Sequence, residues 1–79
     1  MQALKVEVVG SDVRKCEQLQ RNAREAIASL GLQAEITQIT DPQEFIRRGV
    51  LATPALIVNG RIVCRGQVIK SAQIQPLLQ

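Results

Sequence analysis

The sequence predicts an α/β fold of order β-α-β-α-β-β-α, with one mixed four-stranded sheet and helices flanking it. Three observations carry that reading. Short runs rich in Val and Ile alternate and are separated by capping residues. One apolar stripe recurs at helical spacing from Val13 to Leu30. Asn59-Gly60 between two apolar runs is a strong hairpin signal.

Leu4, Val6 and Val8 alternate with Lys5, Glu7 and Val9 up to Gly10, which gives the first strand. Gly10-Ser11-Asp12 supplies turn and N-cap chemistry. The helix that follows places Val13, Cys16, Leu19, Ala23, Ile27 and Leu30 on one face and Glu17, Arg21 and Glu25 on the other, with Gly31 closing it. A second strand is expected where Leu32, Ala34 and Ile36 alternate with Gln33, Glu35 and Thr37. The intervening helix leaves room for a right-handed crossover, so these two strands should run parallel.

Asp41-Pro42-Gln43-Glu44 opens a second, short helix: an acidic cap, a proline at the first helical position, and a glutamate placed to complete a capping box. It carries Phe45 and Ile46, has Arg47 and Arg48 near its negative end, and stops at Gly49. Ala55–Val58, Asn59-Gly60 and Arg61–Arg65 form an antiparallel hairpin that Gly66 breaks. Ser71 is expected to cap a last helix bearing Ile74, Leu77 and Leu78, shortened by Pro76.

Composition removes many function classes. The 79 residues suit a single domain, 1–79, without a separate regulatory module, and 46% apolar residues with Phe45 as the only aromatic give an aliphatic core. The absence of histidine removes Ser-His-Asp and Cys-His nucleophile pairs and imidazole zinc sites. Two cysteines, Cys16 and Cys64, cannot supply a four-thiolate site, and the glycines form no phosphate loop, so neither a metal nor another cofactor is expected. The net charge of +3 is spread along the chain and no aromatic platform accompanies it, which argues against nucleic acid as a partner. The longest uncharged stretch, 49–60, is too short to span a membrane. The N-terminus enters a strand pattern directly, without the pattern of a signal peptide, so a cytoplasmic location with reduced thiols is expected and a structural Cys16–Cys64 bridge is not. Thiols are the obvious reactive groups left. Arg14-Lys15 and Arg47-Arg48 read as solvated faces, Asp12 as a cap, and an exposed apolar patch around Val13 and Val68-Ile69 would mark a subunit of a larger assembly.

Four features then coincide: a first strand ending in Gly10-Ser11, a long helix beginning at once, Ala52-Thr53-Pro54 leading into the third strand, and Asn59-Gly60 followed by the fourth strand and Gly66. Together they resemble the thioredoxin-like fold of the small thioredoxin/glutaredoxin-like redox-active disulfide proteins, over essentially the whole chain. The run Arg21-Asn22-Ala23-Arg24-Glu25-Ala26, with Leu30-Gly31 behind it, is also similar to that family. The resemblance implies thiol-disulfide exchange and a part in cell redox homeostasis.

In that family the first turn carries Gly-x-Gly-Cys-x-x-Cys. Here the matching run is Gly10-Ser11-Asp12-Val13-Arg14-Lys15-Cys16, which puts Val13 at the nucleophile's position and Cys16 at the resolving position. The resemblance further implies a cis bond at Thr53-Pro54, with Thr53 and Pro54 opposite the turn and presenting backbone groups to an extended substrate. Cys64 has no counterpart in the motif.

A thiol at a helix N-terminus is acidified by free amides and the helix dipole, an effect that fades beyond the first turn. Cys16 lies about one turn in, on the apolar stripe, where burial raises its pKa, against the opposite pull of Arg14 and Lys15. Cys16 therefore reads either as a small buried hydrophobe or as a working thiol, and Cys64 as a buried strand residue, a partner thiol for Cys16, or an exposed thiol. Two functions follow. One is a degenerate protein with a Val13-x-x-Cys16 motif that binds a peptide or protein, including a thiol or disulfide protein, along the Thr53-Pro54 edge. The other is a thiol-disulfide oxidoreductase using Cys16 alone or with Cys64.

Overall fold

Val6, Val8 and Val9 are completely buried, so strand β1 (Leu4–Val9) is apolar on both sides and belongs inside a sheet. In the computed structural model, which describes residues 3–79, β1 lies between β2 (Ala34–Ile39) and β3 (Ala55–Val58), and β4 (Arg61–Arg65) completes the order β2-β1-β3-β4. β1 and β2 are parallel, whereas β3 runs antiparallel to both β1 and β4. The C-terminal ends of β1, β2 and β4 and the start of β3 therefore share one end of the sheet.

Alternation divides the core into two layers. Val6, Val8, Leu56, Val58 and Cys64 pack with Cys16, Leu19, Ala23, Ala26 and Ile27 of α1 (Val13–Ser29) and with Ile74 of α3 (Ser71–Ile74). Val9, Ala55 and Ile57 face the other way, against Val50 and Phe45 at α2 (Pro42–Arg47). A bulge at residue 63 explains the apolar run in β4: Leu56 pairs with Cys64 but Ile57 with Ile62. Ile62 consequently packs in the second layer while Val63 and Cys64 pack in the first.

Local chemistry sets the boundaries. Asp12 caps α1 by accepting the Lys15 amide at 3.1 Å, and Asp41 caps α2 by accepting the Gln43 amide at 3.0 Å. Both helices end in Schellman pairs, with the amides of Gly31 and Leu32 reaching Ala28 and Ile27 and those of Gly49 and Val50 reaching Ile46 and Phe45. Gly31 and Gly49 take the left-handed backbone this requires. Asn59 and Gly60 both have positive φ, as a two-residue hairpin turn demands. Asn22, inside the run similar to the redox family, donates to the Ile69 carbonyl at 2.9 Å and so ties α1 to the segment entering α3.

Several expectations need correction. β2 starts at Ala34 and continues to Ile39, because Leu32 is engaged in closing α1 through its amide. The cap of α3 is Lys70, whose amide donates to Gln73 Oε1, and Ser71 is the first helical residue. The effect expected of Pro76 is present: the last turn is distorted, with Gln75–Leu78 continuing α3 as a 3-10 turn. Ile69 is buried and Val68 half-buried, so no open patch joins them to Val13.

Arg48 is not a solvated residue. Its Nε and Nη2 donate to the two carboxylate oxygens of Glu7 at 3.2 and 2.8 Å, and its Nη1 donates to Glu44. Glu44 thus serves Arg48, and Arg47 at 3.3 Å, instead of closing a capping box. Glu7 is only 8% exposed, in the middle of β1 on the α2 side, and this fork satisfies it. The Arg48 hydrogen bonds hold its carboxyl below the usual glutamate range against the opposing effect of burial.

A depressed carboxylate pKa stabilises the fold fully above the ordinary glutamate value of about 4.3, and this contribution is lost as pH falls through the lower folded value. Replacing Arg48 with Ala leaves Glu7 buried without a partner and should cost about 2–3 kcal/mol at pH 7. The same change lets burial raise the Glu7 pKa, so the deficit should shrink as the pH falls toward 4. Urea denaturation of both proteins at pH 7 and pH 4 checks the size and the sign.

Candidate functional site

The site is built where β1 gives way to α1. Gly10 leaves β1 with its amide bonded to the Ile39 carbonyl at 3.0 Å, and Asp12 then starts the helix. Val13 is the first helical residue and points outward, 67% exposed. Cys16 lies one turn further along and points inward, 4% exposed, with its amide on the Asp12 carbonyl. The two motif positions thus occupy opposite environments.

Space at Gly10 brings the rest together. A Cβ placed on Gly10 would stand 2.7 Å from Cys16 Sγ, 3.4 Å from Pro54 Cα and 3.5 Å from Thr53 Cβ. Cys16, Thr53 and Pro54 therefore converge on one glycine. The Thr53–Pro54 bond is cis, Pro54 is buried and Thr53 is exposed. From the other side, the Gly66 amide donates to the Pro54 carbonyl at 2.9 Å, and a Cβ on Gly66 would touch Ala52. Among the described residues no backbone hydrogen bond is made by Ala52 or by Thr53, both of which are exposed.

Cys64 sits in β4 opposite Leu56, buried, with its thiol against the Gln67 carbonyl at 3.7 Å. It shares the α1-side core layer with Cys16, but both thiols are free. Burial pushes the Cys16 thiol up, and the nearby Asp12 carboxylate adds to that effect. Burial alone pushes Cys64 up. Arg14 and Lys15 do not reverse the direction at Cys16, because their side chains are exposed to solvent while the sulfur is enclosed. Among the described residues no three Cys, Asp or Glu side chains are grouped to hold a metal.

Two contributors to this geometry were hidden in the sequence. Gly10 looked like turn chemistry, yet its role is to admit the sulfur, and Gly66 looked like a strand breaker, yet its amide anchors Pro54. The available signal was that glycines flank both the helix start and the hairpin end.

A parallel β1–β2 pair, an antiparallel β3–β4 hairpin, a helix launched from the end of β1 and a proline facing its first turn define a thioredoxin-like α/β protein. The chain belongs to the thioredoxin domain family, whose model matches residues 4–79. A thioredoxin of Methanothermobacter thermautotrophicus is 32% identical over 75 residues, covering 95% of this chain and 97% of that one. A thioredoxin of Methanocaldococcus jannaschii is 31% identical over 74 residues, covering 94% and 85% respectively. No helix among the described residues is long and apolar enough to cross a membrane.

The packing at Gly10 has a direct test. Gly10→Ala should destabilise the protein by about 1–3 kcal/mol, since the new methyl overlaps Cys16 Sγ. In a Cys16→Ala background the same substitution should cost clearly less, and a double-mutant cycle by urea denaturation measures the coupling.

Proposed function

We propose that this chain acts as one thioredoxin-like domain that binds an extended peptide or protein segment along the Thr53-Pro54 edge, with little or no conventional dithiol turnover. The observation that carries this reading is the exposed Val13 at the first position of α1. That position has unpaired amides and the positive end of the helix dipole, the environment that activates a thiolate, and valine offers it nothing to activate. The remaining thiols are buried with raised pKa values, so little thiolate is present at neutral pH. The open backbone at Ala52 and Thr53 offers a partner strand-like hydrogen bonds without any thiol chemistry.

One observation favours the second reading, a thiol-disulfide oxidoreductase using Cys16 alone or with Cys64. Cys16 Sγ and the Thr53-Pro54 segment approach the same face of Gly10, so the thiol is close to where a partner would dock. A cytoplasmic location suits either reading.

The rate of Cys16 alkylation against pH separates them. The expected midpoint lies at or above the free-thiol value of about 8.5, with no reductase activity toward a disulfide protein such as insulin. A midpoint well below that value, together with reductase activity abolished by Cys16→Ser, would defeat the binding-only reading. Val13→Cys should create reductase activity at least tenfold above the wild-type background, because it puts a thiol where the helix terminus can acidify it.

A further inference from the structure

We propose that Asn59-Gly60, the turn between β3 and β4, is a site of spontaneous deamidation that the closed hairpin holds shut and that opening of the hairpin releases. The site lies at the opposite end of β3 from Thr53-Pro54 and does not depend on what docks there. The chain has two asparagines, and Asn59 is the one followed by glycine. Asparagine is a chemically labile side chain, and a glycine after it presents a peptide nitrogen with no Cβ to hinder it. Both residues are exposed, so water reaches them. In the first step the Gly60 nitrogen gives its proton to solvent base and bonds to Asn59 Cγ, the bond from Cγ to Nδ2 breaks, and ammonia leaves with a proton from water. Water then opens the succinimide at one of its two carbonyls, giving aspartate or isoaspartate, with no oxidant or reductant involved.

The fold opposes the first step. The Asn59 amide donates to the Lys5 carbonyl at 2.8 Å, and the Lys5 amide donates to Asn59 Oδ1 at 2.9 Å, so the side chain is tied to β1 at both ends. Val58 pairs with Arg61 across the turn, and the φ values of Asn59 and Gly60, 50° and 82°, are those of a type I′ turn. In that turn Cβ and the Gly60 nitrogen stand on nearly opposite sides of the Asn59 Cα–C bond, whereas the ring needs them on the same side. Closing the ring therefore means leaving the turn. The two products also differ. Aspartate tolerates positive φ, and its carboxylate can accept the same Lys5 amide. Isoaspartate adds a main-chain carbon to a two-residue turn whose length sets the strand register, so it marks permanently a molecule that has opened.

The test is peptide mapping by mass spectrometry of the full chain, folded and unfolded in guanidinium chloride, held in the same warm, mildly alkaline buffer. Conversion at Asn59 should be at least tenfold faster in the unfolded chain, with isoaspartate exceeding aspartate. Asn22, followed by Ala23, should convert at least tenfold more slowly than Asn59 in the same unfolded sample. Asn59→Asp should keep the wild-type thermal midpoint, while chains converted to isoaspartate and returned to native buffer should melt lower. Equal rates at Asn59 in the folded and unfolded chain would overturn the gate. Rates at Asn59 no higher than at Asn22 in the unfolded chain would overturn the site itself, and equal midpoints for the two products would overturn the permanent mark.

Discussion

The end of the sheet from which α1 starts depends on Gly10 having no side chain. Its φ lies outside the left-handed region, so the requirement is space and not backbone freedom. Because Cys16 Sγ and Pro54 both approach the position where a Cβ would stand, α1 can start immediately after β1 and still seat its first buried residue close to the Thr53-Pro54 segment. Gly66 holds the same proline from the β4 side. Two backbones and one sulfur therefore fix the relation between the helix start and the proline, and the core layer beneath, from Leu19 to Leu56, keeps them there.

This arrangement divides the first turn of α1 into two electrostatic environments. The outward position, Val13, has the dipole and free amides but no thiol. The inward position, Cys16, has a thiol but is enclosed, and the Asp12 cap adds a negative charge beside it. The factors that would acidify a cysteine and the cysteine itself are thus one helical turn apart. Membership of the thioredoxin domain family explains the scaffold, and the separation of the thiol from the helix terminus is the observation on which the proposed docking role rests.

Most of the architecture was legible because it is local. The stripe from Cys16 to Ile27, the caps at Asp12 and Asp41, and the turn at Asn59-Gly60 are each set by residues within a few positions of one another, and each appears where the sequence puts it. The family resemblance rested on similarly short signals, from Gly10-Ser11 and Ala52-Thr53-Pro54 to Asn59-Gly60, and agrees with the family match. What escaped is long-range. Glu7 stood in the sequence only as one residue of an alternating strand, and the folded chain brings Arg48, forty-one positions away, to satisfy it inside. The burial of Ile69 likewise depends on distant packing, while the bulge at residue 63 and the Gly66 contact with Pro54 turn on the hairpin's register, which alternation in β4 alone does not set.

In the proposed docking role both thiols of this chain serve only as buried core side chains. Intact mass spectrometry after equilibration in glutathione buffers of graded redox poise measures this most directly. The expected result is a protein that stays fully reduced, with neither a Cys16–Cys64 disulfide nor a glutathione adduct while it remains folded. Stoichiometric oxidation of Cys16 in the native protein at a mildly oxidising poise would contradict it.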